Sequence, residues 1–169
     1  MRTFTKILLP VVAMVTMLSC ASAQEKKDGL TWYTDIEQAA KVSNDTHRPI
    51  FGFFTGSDWC GWCHKLEADV MSKQQFKDWA AKHVVLLELD FPRKKQLPQK
   101  LQDQNNSLQQ FFRVQGYPTV WIFDIAKDSA NRYNITPKGS LGYSDLQTFM
   151  RTADSLSKVQ PPKPDTKKK

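Results

Sequence analysis

The sequence predicts a single α/β domain whose mixed central β-sheet is flanked by helices. Three short runs carry this prediction: residues 50–55 (IFGFFT), 84–91 (VVLLELDF) and 119–125 (TVWIFDI). Each run is apolar at both odd and even positions, which is typical of a strand buried on both faces of a sheet. Segments with apolar residues at helical spacing lie between the runs. This alternation of helices and buried strands is typical of the α/β class.

The first helices are predicted from caps and helical spacing. Thr34 and Glu37 are spaced as a capping box, which predicts a helix over residues 35–44. After the first buried run, apolar side chains recur at helical spacing from residue 60 onward, so a helix is expected there with two cysteines in its first turn. The stretch SKQQ, residues 72–75, can restart a helix that runs to residue 82.

The second half of the chain predicts two more helices and a fourth strand. Pro98 is well placed at a helix start. The apolar residues that follow it are spaced for one inward face, and they are Leu101, Leu108, Phe111 and Phe112. The polar residues 92–104 are interpreted as loop and helix without an assigned function. Gly139 and Gly142 predict the hairpin that leads into the fourth strand, and the stretch SDLQ, residues 144–147, predicts the cap of a last helix.

Both ends of the chain are predicted to lie outside this domain. A basic start and a short apolar run precede the A-x-A site at residues 21–23, so residues 1–23 are interpreted as a secretory signal peptide. An alternative is a lipid anchor at Cys20, because LSCA resembles the lipobox of bacterial lipoproteins. The domain would then occupy residues 24–160, and residues 161–169 (PPKPDTKKK) would form a disordered basic tail.

The processing signals and the charge limit the partners that we expect. Either route places the domain outside the cytoplasm, in a periplasmic, secreted or lipid-anchored protein, where disulfides persist. The net charge of +7 comes partly from the tail. The sequence has no basic patch interleaved with aromatic residues, so no nucleic-acid partner is expected.

The motif C-x-x-C-H at residues 60–64 could serve two chemistries. Two thiols spaced by two residues can bind a haem covalently or form one disulfide. A haem also needs an apolar slot, usually all-helical, and a sixth ligand, and Met71 is too near the motif to supply it. A zinc site needs a second ligand pair, which the sequence lacks. The α/β pattern favours the dithiol, and we expect no metal and no organic cofactor.

Cys60 and Cys63 are placed for different steps of disulfide exchange. A thiolate at a helix N-terminus is stabilised by free backbone N–H groups and by the helix dipole. Cys60 is positioned to receive this effect. Cys63, one turn further along, is close enough to attack a mixed disulfide and release the product. An inert disulfide that only staples the helix start remains the alternative.

The motifs WCGWCHK and GYPT, residues 116–119, together resemble the thioredoxin superfamily. GSDWCGWC with Trp32 and HRPI resembles secreted bacterial thioredoxin-like proteins. The resemblance covers residues 32–157 and implies a thioredoxin-like fold. It also implies a thiol-disulfide oxidoreductase that exchanges or reduces disulfides in protein substrates. The sequence leaves the direction open among reductase, isomerase and oxidase. The alternative from a different class is a thioredoxin-fold binding module with a structural disulfide.

The resemblance also assigns roles to matching residues. Cys60 would be the attacking and Cys63 the resolving cysteine, and the two would form the disulfide. Pro118 matches a cis-proline that faces the disulfide, and the backbone of Tyr117 would pair with an extended substrate. The residues expected to contact substrate are Trp59, Gly61, Trp62, Tyr117 and Pro118. For Trp59 and Trp62, simple packing is the alternative.

One departure from the family concerns proton transfer. Many cytoplasmic thioredoxins carry a buried Asp in the strand before the motif, whereas this chain has Phe53 and Phe54 there. Glu67 or water would have to take the proton instead. A protonated His64 would favour the Cys60 thiolate, and the alternative is that His64 points to solvent. A reductase would further require an electron donor at the membrane.

Overall fold

The computed structural model describes residues 24–127 and 132–158, which form six strands and five helices. The strands are β1 (Gln24–Lys27), β2 (Leu30–Tyr33), β3 (Ile50–Thr55), β4 (Val85–Asp90), β5 (Thr119–Lys127) and β6 (Tyr133–Leu141). The helices are α1 (Ile36–Thr46), α2 (Gly61–Leu66), α3 (Gln74–His83), α4 (Gln99–Phe111) and α5 (Leu146–Lys158). A short π-helical segment, Glu67–Met71, continues α2.

The strands form one mixed sheet in the order β1-β2-β4-β3-β5-β6. Strands β2, β4 and β3 are parallel, whereas β1, β5 and β6 each pair antiparallel with a neighbour. The predicted mixed sheet is therefore confirmed. Because β3 and β4 are parallel and in register, they end side by side at Thr55 and Asp90.

A hydrophobic core lies on each face of the sheet, since successive side chains of a strand point to opposite faces. Phe51 and Phe53 of β3 pack with residues of α2, α3 and α5. Ile50 and Phe54 pack on the other face with residues of α1 and α4. All four side chains are buried. The central strands are therefore apolar on both faces over most of their length, and helices cover both faces as the sequence predicts.

The hairpin of β1 and β2 is absent from the sequence-based prediction. Its turn contains Asp28 and Gly29, whose φ angles are 52° and 84°. An Asp-Gly pair with both residues at positive φ is the preferred turn of a two-residue β-hairpin. The pattern was overlooked because residues 24–27 (QEKK) are too polar to suggest a strand. This hairpin adds two strands to one edge of the sheet.

Two helix caps lie one residue later than predicted. Asp35 caps α1, because its carboxylate accepts a hydrogen bond from the Glu37 N–H at 2.8 Å. Asp145 likewise accepts from the N–H groups of Gln147 and Thr148 at the start of α5. An N-cap side chain can accept from the backbone N–H two or three residues later, so these aspartates cap the helices as well as the predicted Thr34 and Ser144 would.

Two further predictions are wrong. Phe111 was expected on the inner face of its helix, yet 52% of its surface is exposed. Consecutive helical residues point about 100° apart, so burial of Phe112 turns Phe111 outward. Gly139 was expected in a hairpin before the last strand, but it lies inside β6. There the side chain of Leu156 packs so closely on it that a Cβ would overlap.

The structure does not bear on the predicted ends of the chain. The signal peptide over residues 1–23, Cys20 and the tail over residues 161–169 lie outside the described residues. Within residues 24–127 and 132–158, no helix is both long and apolar enough to cross a membrane.

Candidate dithiol active site

Three segments of the chain meet at one edge of the sheet. The parallel strands β3 and β4 end there, so the loops over residues 56–60 and 91–98 leave the sheet side by side. Strand β5 runs antiparallel to β3, and Thr119 pairs with Phe54. The segment over residues 116–118 therefore reaches the same edge. This convergence brings the two motifs GSDWCGWC and GYPT together.

The two cysteines stand at the start of α2 and differ in exposure. Cys60 is the N-cap of the helix, and its Sγ accepts a hydrogen bond from the Cys63 N–H at 3.2 Å. The two residues form a disulfide with their Cα atoms 5.2 Å apart. Cys60 keeps 5% of its surface exposed, whereas Cys63 is fully buried. Only Cys60 of the pair is therefore open to a partner from solution.

Backbone hydrogen bonds fix the loop that leads into the helix. The carbonyl oxygen of Gly56 accepts from the N–H groups of Trp59 at 3.1 Å and Cys60 at 2.8 Å. The indole of Trp59 lies directly against Gly56, where a Cβ would overlap the ring. A glycine is thus required at the point where the strand turns into the dithiol helix.

Two carboxylates tie this loop to the loop after β4. Asp90 accepts hydrogen bonds from the N–H of Ser57 at 2.8 Å and from its hydroxyl at 2.7 Å. In the other direction, Asp58 accepts from the backbone N–H groups of Arg93 at 2.9 Å, Lys94 at 2.7 Å and Lys95 at 3.3 Å. The Arg93 N–H, followed by those of Lys94 and Lys95, holds the pKa of Asp58 below its usual range. Each loop therefore holds the other in place.

Trp59 packs between the two loops. Its indole N–H donates to the carbonyl oxygen of Phe91 at 2.8 Å. The guanidinium of Arg93 lies 3.7 Å from the centre of the indole ring, and the Tyr117 ring meets the indole edge-on at 5.9 Å. Of the two interpretations that the sequence left open for Trp59, these contacts support packing.

Trp62 presents an apolar surface beside the disulfide. It is 60% exposed, and its ring lies 5.3 Å from that of Tyr143. The hydroxyl of Tyr143 donates to Asp69 at 2.8 Å, which fixes the ring. Gly61 is also exposed. The sequence did not predict a role for Tyr143, because its only distinguishing feature there is its position in a Gly-rich turn.

The segment before β5 contains a cis peptide bond between Tyr117 and Pro118. The Tyr117 ring stacks on Phe91 at 5.2 Å, and its hydroxyl accepts from the Gln109 side-chain amide at 2.7 Å. Burial raises the pKa of Tyr117, and the hydrogen bond from Gln109 opposes this rise. The side chain of Tyr117 is thus part of the packing under the site, which leaves its backbone as the group that a substrate could meet.

A cavity of about 280 Å³ with charged walls lies beside the dithiol helix. Its lining includes Lys27, Trp32, His64, Glu67 and Glu88. Alternation along β4 places Glu88 on the same face as Leu86, towards α2, and its register partner is Phe53. The ammonium of Lys27 lies 2.5 Å from the Glu88 carboxylate. Glu88 therefore supplies a carboxylate next to Phe53 of β3, the strand before the dithiol motif, which has no acidic residue of its own.

Glu67 faces this cavity one turn beyond Cys63. Its backbone N–H donates to the carbonyl oxygens of Cys63 and His64. Burial, together with the nearby Glu88 carboxylate, raises the pKa of Glu67, although Lys27 opposes the rise. His64 sits close by, with Nε2 at 2.9 Å from the Ser57 carbonyl oxygen, to which a protonated Nε2 donates. The side chain of His64 is thus exposed while its ring contacts the active-site loop.

Sequence analysis missed Lys27, Glu88 and Asp90 as members of the site. The sequence signal for Glu88 and Asp90 was that these two acids lie inside the otherwise apolar run VVLLELDF. A buried carboxylate must find a partner or a hydrogen bond, so its presence in a buried strand is informative. Lys27 could not have been assigned, because the hairpin that carries it was not predicted.

Comparisons with known proteins agree with this geometry. Residues 31–124 match a family described as thioredoxin-like. The chain is 30% identical over 146 residues to the disulfide bond reductase DsbH of Chlamydia pneumoniae, which covers 79% of this chain and 87% of that protein. It is 21% identical over 180 residues to the thioredoxin-related protein DsbJ of the same organism, which covers 90% of this chain and 52% of DsbJ.

Solved structures show the same relationship. A DsbH oxidoreductase superimposes with a TM-score of 0.60 at 28% identity, covering 73% of this chain and 82% of the other. A thioredoxin from Thermus thermophilus gives a TM-score of 0.54 at 16% identity, covering 74% and 85%, respectively. The second likeness concerns the fold alone. The thioredoxin-like fold expected from the two motifs is confirmed.

Proposed function

Because the chain belongs to the thioredoxin-like family and is a thiol-disulfide oxidoreductase, we propose that it reduces disulfides in protein substrates outside the cytoplasm. The observation that carries the proposal is the asymmetry of the cysteine pair. Cys60 caps the helix and keeps 5% of its surface exposed, whereas Cys63 is fully buried behind it. The reductive direction is supported by the name of the relative DsbH, a disulfide bond reductase.

The first step is attack by Cys60. In the reduced protein, the Cys60 sulfur can accept the Cys63 N–H that it accepts in the disulfide form, and the helix dipole favours its negative charge. The Cys60 thiolate attacks one sulfur of a substrate disulfide. A mixed disulfide with Cys60 forms, the substrate S–S bond breaks, and the departing sulfur leaves as a thiolate that takes a proton from water.

The second step is resolution by Cys63. Its thiol loses a proton and attacks the Cys60 sulfur, which releases the second substrate thiol and forms the Cys60–Cys63 disulfide. The substrate gains two electrons and two protons, and the enzyme is left oxidised, as in the structure. Another turnover needs an external dithiol donor, and we propose that the donor is a membrane protein.

We propose that Glu67 accepts the proton from Cys63. It lies one turn further along the same helical face, is half-buried, and borders the charged cavity. A raised pKa makes a carboxylate a better base for a thiol, because the proton-transfer equilibrium becomes less unfavourable. Glu67 would thereby replace the buried aspartate that the strand before the motif lacks.

The substrate segment would lie across the surface made by Trp62, Gly61 and the Tyr117–Pro118 backbone, with Trp59 packed beneath it. Trp62 offers an exposed apolar ring next to the disulfide. Backbone groups at residues 117–118 can pair with an extended chain, as strand edges do. The domain over residues 24–160 would be released or anchored by processing of residues 1–23, with residues 161–169 as a solvated tail.

Paired cysteine variants test the proposal. With dithiothreitol as donor and a disulfide-bonded protein such as insulin as substrate, Cys60→Ser is expected to reduce substrate at the uncatalysed rate. Reduced Cys63→Ser, mixed with substrate after the dithiothreitol has been removed, should still attack and accumulate a mixed disulfide through Cys60, because the resolving thiol is missing. If Cys60→Ser works at the parent's rate, the assigned nucleophile is wrong.

Thiol labelling separates an enzyme from a binding module with a structural disulfide. In the reduced protein, Cys60 should be alkylated rapidly at mildly acidic pH, where ordinary thiols are protonated, while Cys63 is protected. Slow alkylation of Cys60 together with no catalysed reduction would support the binding module and overturn the proposed function.

A further inference from the structure

We propose that Arg93 is a carboxylate-binding residue beside the dithiol, and that it favours protein substrates with Asp or Glu next to the reacting disulfide. The inference rests on the proposed function, because it names the substrate class of the same site. It explains a segment to which the sequence assigned no role, the loop over residues 91–98. Three consecutive cations, Arg93, Lys94 and Lys95, stand in this loop.

The loop is held rigidly at the edge of the active site. Asp58, two residues before Cys60, accepts hydrogen bonds from three successive backbone N–H groups of the loop. Asp90 at the base of the loop is itself bound to Ser57. A loop tied at both of these points presents its side chains from fixed positions, so little ordering is needed when a partner binds.

The Arg93 side chain is oriented by its neighbour. Its guanidinium lies 3.7 Å from the centre of the Trp59 ring, and Trp59 immediately precedes Cys60. Stacking occupies the face of a guanidinium and leaves the N–H groups at its edge, which is the geometry that binds a carboxylate bidentately. Arg93 is exposed, and within the described residues no carboxylate forms an ion pair with it.

The other cations near the site are less suited to this role. Lys95 is paired with Asp90 at 2.9 Å, and Lys65 on the opposite side of the helix start is paired with Asp69 at 2.7 Å. Lys94 is exposed but does not stack on an aromatic ring of the described structure. Asp58 directs its carboxylate to the backbone N–H groups of the loop. Arg93 is therefore the cation that is both oriented and open to a substrate carboxylate.

A matched set of peptides tests the proposal. Two peptides with the same intramolecular disulfide would differ only in the flanking residues, Glu in one and Gln in the other. The ratio of their kcat/KM values, with excess dithiol donor at low ionic strength, measures recognition of the charge. We expect a ratio of about fivefold in favour of the Glu peptide, near the upper end for an exposed ion pair. It should fall as salt is added.

Variants then assign the preference to Arg93. In Arg93→Gln, which keeps a planar polar side chain without charge, the ratio should fall to about one. Arg93→Lys should restore part of it, because a lysine supplies charge without the bidentate fork. Lys82→Ala is the control, since Lys82 is an exposed cation at the end of α3, next to the start of β4 and thus at the opposite edge of the sheet.

The outcomes distinguish this inference from the proposed function. Equal kcat/KM for the two peptides in the parent protein, or an unchanged ratio in Arg93→Gln, would overturn the role of Arg93. An equal loss in Lys82→Ala would also overturn it, because net charge would then explain the preference. Failure of the parent protein to reduce either peptide would instead overturn the proposed function.

Discussion

At the residue scale, the chemistry depends on how differently two cysteines of one motif are surrounded. Cys60 ends a tight loop, caps the helix and retains some exposed surface, whereas Cys63 is covered on all sides. Beyond Cys63 the helix presents Glu67 to a cavity that also contains Glu88 and Lys27. We therefore propose that Cys60, which keeps some exposed surface, meets the substrate, and that Glu67 takes the proton of the buried Cys63.

Replacement of Glu67 by Gln should stabilise the protein at neutral pH. Burial raises the pKa of Glu67 in the folded state above its usual value of about 4.3, so its ionisation favours the unfolded chain. Its contribution to stability is present below that usual value and is lost as pH rises through the folded-state pKa. The gain in Glu67→Gln should therefore be larger at pH 7 than at pH 4.

Urea unfolding of the parent protein and of Glu67→Gln across this pH range measures the difference. Asp78→Asn is a suitable control, because Asp78 is exposed on α3, bonds to the Gln74 side chain and does not line the cavity. A difference between Glu67→Gln and the parent that does not change with pH, or that shrinks as pH rises, would contradict the assigned environment of Glu67.

Residues of the site were predictable from the sequence only where they belong to a recognisable motif. The C-x-x-C spacing identifies Cys60 and Cys63, and GYPT identifies Pro118 through its resemblance to a known family. Glu88 and Asp90 carry no motif, and their roles follow from sheet alternation and strand length. Those properties depend on which strands pair, so they become visible only in the folded chain.

At the element scale, the site is built by two loops at the ends of parallel strands. Each loop contributes a carboxylate that binds the other, Asp58 to the N–H groups of residues 93–95 and Asp90 to Ser57. Trp59 fills the space between them and bonds to the Phe91 carbonyl oxygen. The geometry of the dithiol loop therefore depends on a segment more than thirty residues away in sequence.

Asp58→Ala should loosen the loop after β4. Loss of the carboxylate leaves the N–H groups of Arg93, Lys94 and Lys95 without this acceptor, so their amide hydrogen exchange should accelerate by about tenfold. Hydrogen exchange read by NMR measures this directly. Asp78→Ala is the control, because Asp78 bonds to the side chain of Gln74 on α3. Unchanged protection of the three amides in Asp58→Ala would show that the carboxylate does not hold the loop.

The same contact should depend on pH. The Arg93 N–H and its two neighbours lower the pKa of Asp58 in the folded state. The stabilisation is therefore present above the usual value for Asp, about 3.9, and is lost as pH falls through the lowered folded-state pKa. Protection factors of the three amides should accordingly persist through mildly acidic pH and decline only in strong acid.

Elements with a strong hydrophobic pattern were predictable, and elements set by local geometry were not. The runs over residues 50–55, 84–91 and 119–125 indicated the central strands, because burial on both faces makes most of their positions apolar. The hairpin of β1 and β2 was not predicted, because its outer strand is polar. The π-helical segment Glu67–Met71 was not predicted either, because it has no sequence signature. The prediction placed Phe111 on the wrong face of its helix, because it did not take into account that consecutive helical residues point about 100° apart.

At the scale of the whole molecule, the sheet brings the segments of the candidate site together at one edge. Parallel pairing of β3 with β4 and antiparallel pairing with β5 bring the dithiol, the basic loop and the Tyr117–Pro118 segment together. The β1–β2 hairpin extends the sheet beyond β4, and its residue Lys27 lines the cavity beside α2. The fold thus separates the surface proposed to bind substrate from the charged cavity proposed to take the proton.

The central claim, that the protein is a reductase, is tested most directly by an equilibrium redox titration. The purified protein would be held in graded thiol and disulfide buffers, its free thiols trapped by alkylation, and the mass of the Cys60–Cys63 pair read at each potential. We predict a potential near that of reducing dithiols on this fold, about −270 mV. A value near that of strong oxidants, about −120 mV, or no exchange at all, would contradict the account.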